Sequence, residues 1–138
     1  MKKSKQLPDT PQFHYHNANP DGNATTDCVV RAIAAAFDLP WETIYKNLCE
    51  EGLKLHTMPN SPDLYPEFLE KYGWVKHKQP KTENGKLVRA GDFAAQLDGK
   101  TAICHVGKHH LACIRDGKVW DIWNCTSKRV GSYWTKEG

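Results

Sequence analysis

Between residues 28 and 37 the chain reads Cys-Val-Val-Arg-Ala-Ile-Ala-Ala-Ala-Phe, apolar at every position except Arg31. Alanine is the strongest helix former, and a helix apolar on nearly every side has to be enclosed by other elements. Residues 27–37 therefore read as a buried helix around which the chain must be built. Ahead of it, Asn19-Pro20-Asp21-Gly22-Asn23 is dense in turn formers, and Thr25, Thr26 and Asp27 are each competent N-caps. Cys28 then falls in the first helical turn. The unpaired N–H groups and the positive end of the helix dipole favour a thiolate there, and the thiolate is the nucleophile. The competing reading is a small apolar core residue, since cysteine is among the most buried residue types.

Residues 1–18 read as extended or loosely ordered, with Lys2-Lys3-Ser4-Lys5 a solvated tail. The alternating stretch 12–16 is a candidate edge strand, and its His14 and His16 read as surface histidines. A second helix is expected from Trp41, just after Pro40, with Trp41, Ile44, Tyr45 and Leu48 on one face and Gly52 as its stop. Residues 53–62 read as a loop. A third short helix, 63–72, ends at Gly73, and the polar run 77–85 is a second loop, suited to a lid. A fourth helix over 91–97 closes at Asp98-Gly99. The period then changes to two. Strands are expected over 101–106, 109–115 and 118–123, with a last one through 130–134. Asp116-Gly117 is the strongest hairpin signal in the chain. Helices first, then an antiparallel sheet, predicts an α+β fold with residues 19–138 as one domain.

Composition narrows the partners. At 138 residues the chain can enclose a real core, and its formal net charge of +3 is too small to imply a nucleic-acid partner. No apolar run approaches membrane-spanning length, and the N-terminus lacks the apolar core of an export signal. The five cysteines are odd in number and irregularly spaced, which predicts reduced thiols in a cytoplasmic protein.

A thiolate nucleophile requires a proton acceptor, usually His, and the His requires an orienting group. If Asp116 and Gly117 are the two central hairpin residues, Arg115 faces Lys118 and Ile114 faces Val119. His110, Ala112 and Ile114 then share a face with Val119, Asp121 and Trp123, and Asp121 is the diagonal neighbour of His110. Trp123 would cover the pair; His109 and Asn124 fall on the opposite side. For an oxyanion the Cys28 N–H is one donor, with the Asn23 side chain as the second and Asn19 as its substitute. A zinc site from Cys104, His105, His109, His110 and Cys113 is disfavoured, because adjacent strand residues point apart and no Cys-x-x-Cys knuckle is present.

Asp27-Cys28 opening an apolar helix, with His110-Leu111-Ala112 and a hairpin into Val119-Trp120-Asp121 far downstream, resembles the papain-like cysteine peptidases. It is most similar to a compact bacterial and phage group related to the bacteriocin-processing (double-glycine leader) peptidases. The resemblance spans Asn19 to Asn124 in the order Cys, His, Asp. It departs at two points: no Gln precedes Cys28 in the loop, and Val29 stands where the family has Gly. The resemblance implies a papain-like fold and a thiol hydrolase cleaving a peptide or isopeptide bond through an acyl-enzyme on Cys28. His110 would move the proton, Asp121 would orient it, and no metal or cofactor is called for. Peptide or protein substrates are implied, with no nucleic-acid or membrane partner. The alternative is a catalytically inactive interaction module of phage or bacterial origin on the same fold.

Overall fold

The computed structural model describes residues 1–136. Four helices, α1 (Cys28–Phe37), α2 (Trp41–Leu55), α3 (Tyr65–Lys71) and α4 (Ala90–Gln96), accompany six strands. These are β1 (Phe13–Tyr15), β2 (Trp74–His77), β3 (Ala102–Val106), β4 (His110–Arg115), β5 (Lys118–Asp121) and β6 (Val130–Lys136). The strands form one sheet in the order β1-β5-β4-β3-β6-β2. Every neighbouring pair is antiparallel except β1 with β5, which run parallel. The expected α+β class is therefore what forms.

Alternation along the central strands divides the core in two. Ile103 and Leu111 point to one side, where Val29, Val30 and Ile33 of α1, Ile44 and Leu48 of α2 and Phe68 and Leu69 of α3 cover them. Ala102, Cys104, Val106, Ala112 and Ile114 point to the other, where Phe93 and Ala94 of α4 close the layer. α1 is buried from Val29 to Ala35, Arg31 included, as its composition requires. It ends where Asp38 turns left-handed at φ 56° and its N–H bonds Ala34 O. In the β4–β5 hairpin Asp116 and Gly117 both have positive φ, 52° and 79°, the geometry of a type I′ turn. Arg115 pairs with Lys118 and Ile114 with Val119, as the two-residue count requires.

Several local expectations change. β1 is the edge strand expected near residues 12–16. The preceding residues are tied down as well as extended: Ser4 N–H bonds Gly22 O and Ala24 N–H bonds Lys2 O, both at 2.9 Å. α2 does not stop at Gly52; it runs to Leu55, and His56 at φ 55° caps it. Ile44 and Leu48 of the expected α2 face are buried, but Tyr45 lies exposed and stacks on Trp41 with ring centroids 4.8 Å apart. β2 was not legible, because Trp74 is its one buried residue and carries no period. It forms because β6 supplies an edge to pair with. Among the described residues, no helix is long and apolar enough to cross a membrane.

Gly52 provides a test of packing against propensity. A Cβ there would lie 2.7 Å from the carbonyl oxygen of Thr57. Gly→Ala inside a helix ordinarily stabilises by about 0.5–1 kcal/mol. Here the backbone contact should reverse the sign, and Gly52→Ala should destabilise by about 1–3 kcal/mol in urea denaturation. A more stable variant would contradict the packing described.

Candidate functional site

The hairpin register carries His110 and Asp121 to the same face of the sheet. His110 Nε2–H donates to Asp121 Oδ2. α1 packs along β4, and this brings Cys28, its first residue, to the start of that strand. The His110 ring and the Leu111 N–H lie near enough to the Cys28 sulfur to draw its thiol down. Because Nε2 is held by the carboxylate, Nδ1 is the ring nitrogen left to exchange a proton with the thiol. The indole of Trp123 lies over the imidazole, with centroids 4.9 Å apart, and shields it on one side. Cys28, His110 and Asp121 are thus brought together, with Trp123 as the expected cover; His109 falls in the turn before β4.

Asp121 has a second partner. Its Oδ1 accepts from Arg31 Nη1 at 2.8 Å and from the Ile122 N–H at 2.7 Å. The Arg31 Nε–H goes to Asp27 Oδ1 at 2.7 Å. Asp27 Oδ2 in turn accepts from Trp41 Nε1 at 2.9 Å and Asn19 Nδ2 at 3.1 Å. Asp27, expected to cap α1, makes no side-chain cap hydrogen bond and works as this anchor instead. Arg31, Asp27 and Asp121 are all buried. The result is a continuous polar chain from the 19–23 loop, through the first turn of α1, into the sheet and back to the sulfur.

The charges along this chain set the protonation states. Burial pushes the Cys28 thiol up, but hydrogen bonds from His110 and Leu111 and the positive charges of His110 and Arg31 outweigh it, so the net shift is downward. Burial disfavours the His110 cation, yet the hydrogen bond to Asp121, contacts with Cys125 and Cys28 and the Asp121 charge raise it to about 11. For Asp121, burial is again the largest influence and acts upward, but His110 and Arg31 together hold the carboxyl below its ordinary value. A lowered thiol beside a raised imidazole shifts the balance from the neutral pair toward thiolate and imidazolium.

Neither asparagine is held toward the sulfur by its hydrogen bonds. Asn23 Oδ1 accepts from Lys3 Nζ at 2.7 Å, and Asn19 gives its Nδ2 to Asp27 while its Oδ1 accepts from the Asp21 N–H. The N–H of Cys28, at the helix start, remains the candidate donor. The five residues of the disfavoured zinc set divide as their alternation requires: Cys104 packs with one core layer, whereas His105 bonds Tyr65 of the other at 2.6 Å. Among the described residues, the cluster with metal-ligand proximity is His110, Asp121 and Cys125, within 4.8 Å of one another. Their ligand atoms are engaged with each other and with Arg31, leaving a tight hydrogen-bonded group rather than an open coordination site. A cavity of about 460 Å³ opens beside His110, walled by the 107–109 turn, Trp123 and Lys128.

Arg31, Trp41, the Leu111 N–H and the ion pair made by Asp27 are what sequence reasoning missed. Arg31 carried the one available signal, a lone cation in an apolar helix four residues after an Asp. No family model, no curated protein and no solved structure matches this chain. The chemistry of the site therefore has to be read from its own geometry.

The carboxylate makes a pH prediction. Because the folded Asp121 lies below the ordinary 3.8, its contribution to stability is complete above that value and is lost as pH falls through the folded one. Thermal melts between about pH 5 and pH 2 should show wild type losing stability more steeply than Asp121→Asn. Parallel curves would contradict a depressed Asp121.

Proposed function

We propose that the protein is a thiol hydrolase of the papain-like kind, cleaving an amide bond of a peptide or protein through an acyl-enzyme on Cys28. The observation that carries this reading is the joint hold on one buried carboxylate. Asp121 grips His110 with one oxygen and, through Arg31, the helix start bearing Cys28 with the other. A structural ion pair alone has no need of a partly exposed thiol beside the imidazole.

The chemistry follows from the protonation states. The Cys28 thiolate adds to the carbonyl carbon, and the carbonyl electrons move onto oxygen near the Cys28 N–H. His110 gives its proton to the departing amine as the C–N bond breaks, leaving a thioester on Cys28 and a neutral imidazole. Water then attacks the thioester; His110 takes its proton, the acid product leaves and the thiolate–imidazolium pair is restored. Asp121 holds the ring throughout without itself being protonated. The order Cys, His, Asp, and an opening helix packed on an antiparallel sheet, support the papain-like kind in particular.

The test uses thiol accessibility. Cys28 and Cys49 are partly exposed, whereas Cys104, Cys113 and Cys125 are buried. With iodoacetamide at about pH 6, Cys28 should be alkylated at least ~tenfold faster than Cys49, and His110→Ala should abolish the difference. Equal rates, or Cys49 reacting first, would overturn the reading. A non-catalytic module on the same fold has no use for a thiolate, so the same measurement separates the two.

A further inference from the structure

The cavity beside His110 has no part in the chemistry above. It is lined by Gly107, Lys108, His109, His110, Trp123 and Lys128. Two separate stretches make its walls: the turn between β3 and β4, and the segment following β5. They are tied at the base, where Gly107 N–H donates to Arg129 O at 2.9 Å, so the hollow is part of the fold. Lys108 and Lys128 are both exposed on its rim, one from each wall. Among the described residues neither is in an ion pair. Asp121, the acidic group behind His110, has both oxygens engaged with His110, Arg31 and the Ile122 N–H, and it lies buried. Two ammonium groups thus flank a hollow whose inner end is the imidazole and whose side is an indole.

His110 hands its proton to the departing amine, so whatever occupies the space beyond the ring belongs to the leaving portion of the substrate. We infer that the cavity beside His110 is a subsite for a carboxylate on the leaving-group side of the scissile bond, received by Lys108 and Lys128. The inference rests on the hydrolase reading and adds the substrate class to it. Opposed cations on low-dielectric walls raise the local concentration of an anion and hold it before reaction. Lysine suits this task, since each ammonium acts as a point charge on a flexible stem that can follow a substrate.

Iodoacetate and iodoacetamide differ by one carboxylate and react with the same thiolate, so their rate ratio at Cys28 reads the subsite without a known substrate. At low ionic strength, Lys108→Gln with Lys128→Gln should lower the iodoacetate-to-iodoacetamide ratio at Cys28 by about three- to tenfold. The iodoacetamide rate at Cys28 and the ratio at Cys49 should stay unchanged, because both lysines are exposed and neither touches the sulfur's partners. A ratio at Cys28 unaffected by the double substitution would overturn the subsite while leaving the thiolate intact. Loss of Cys28 selectivity toward iodoacetamide in wild type is the separate failure of the hydrolase reading. Stronger protection of Cys28 by N-acetylglycine than by N-acetylaspartate amide assigns the carboxylate to a chain end, and the reverse order to an acidic side chain.

Discussion

Burying an ion in a protein interior costs several kcal/mol unless partners answer it fully, and this molecule buries Asp27, Arg31 and Asp121 together. Arg31 lies between the two carboxylates, with N–O distances of 2.7 and 2.8 Å, and no single member could be kept without the others. The residues it joins come from different layers. Asp27 immediately precedes α1, Arg31 lies in its first turn, and Asp121 ends β5. The interaction thus fixes where the start of the helix meets the end of the hairpin. Cys28 and His110 are the residues next to those two anchor points.

The same arrangement accounts for the electrostatics. Arg31 is cationic at every ordinary pH and stands close enough to Cys28 to help draw its thiol down. His110 is raised because the oxygen it faces belongs to a carboxylate locked in place from behind. In the proposed hydrolase, a site tuned by a fixed guanidinium and a rigid hairpin would need no reorganisation when charge moves between sulfur and ring. Trp123 covers the ring on one side and the lysine-rimmed hollow opens on another, giving the imidazole one shielded and one accessible flank.

How much of this could be read from the chain depended on whether the signal was local. The hairpin arithmetic worked because Asp116-Gly117 selects one turn geometry and a period of two then fixes every face, down to the pairing of His110 with Asp121. α1 was legible from composition alone. Arg31 was visible as an anomaly but its partner Asp121 lies 90 residues away, and no spacing rule reaches that far. Asp27 stands at the N-cap position, but its carboxylate serves Arg31 instead of the helix N–H groups, since a cap and an ion-pair anchor call for the same residue type there. Asn19 and Asn23 were oxyanion candidates by proximity in sequence; the Asn19 amide is given to Asp27, whereas Asn23 is held through its oxygen by Lys3. Gly52 looked like a helix stop, whereas its missing side chain is required by the close approach of Thr57. Each of these corrections comes from a tertiary contact that outweighs a local preference.

The central claim is that His110 is a cation at neutral pH because Asp121 and the Cys28 thiolate stand on either side of it. Ring-nitrogen NMR shifts of His110, followed from about pH 5 to pH 9, measure this directly. Two protonated nitrogens persisting above pH 8, with the titration falling toward the ordinary imidazole range near 6.5 in Asp121→Asn, is the predicted result. A wild-type ring that loses its proton near 6.5 would show that no such pair exists.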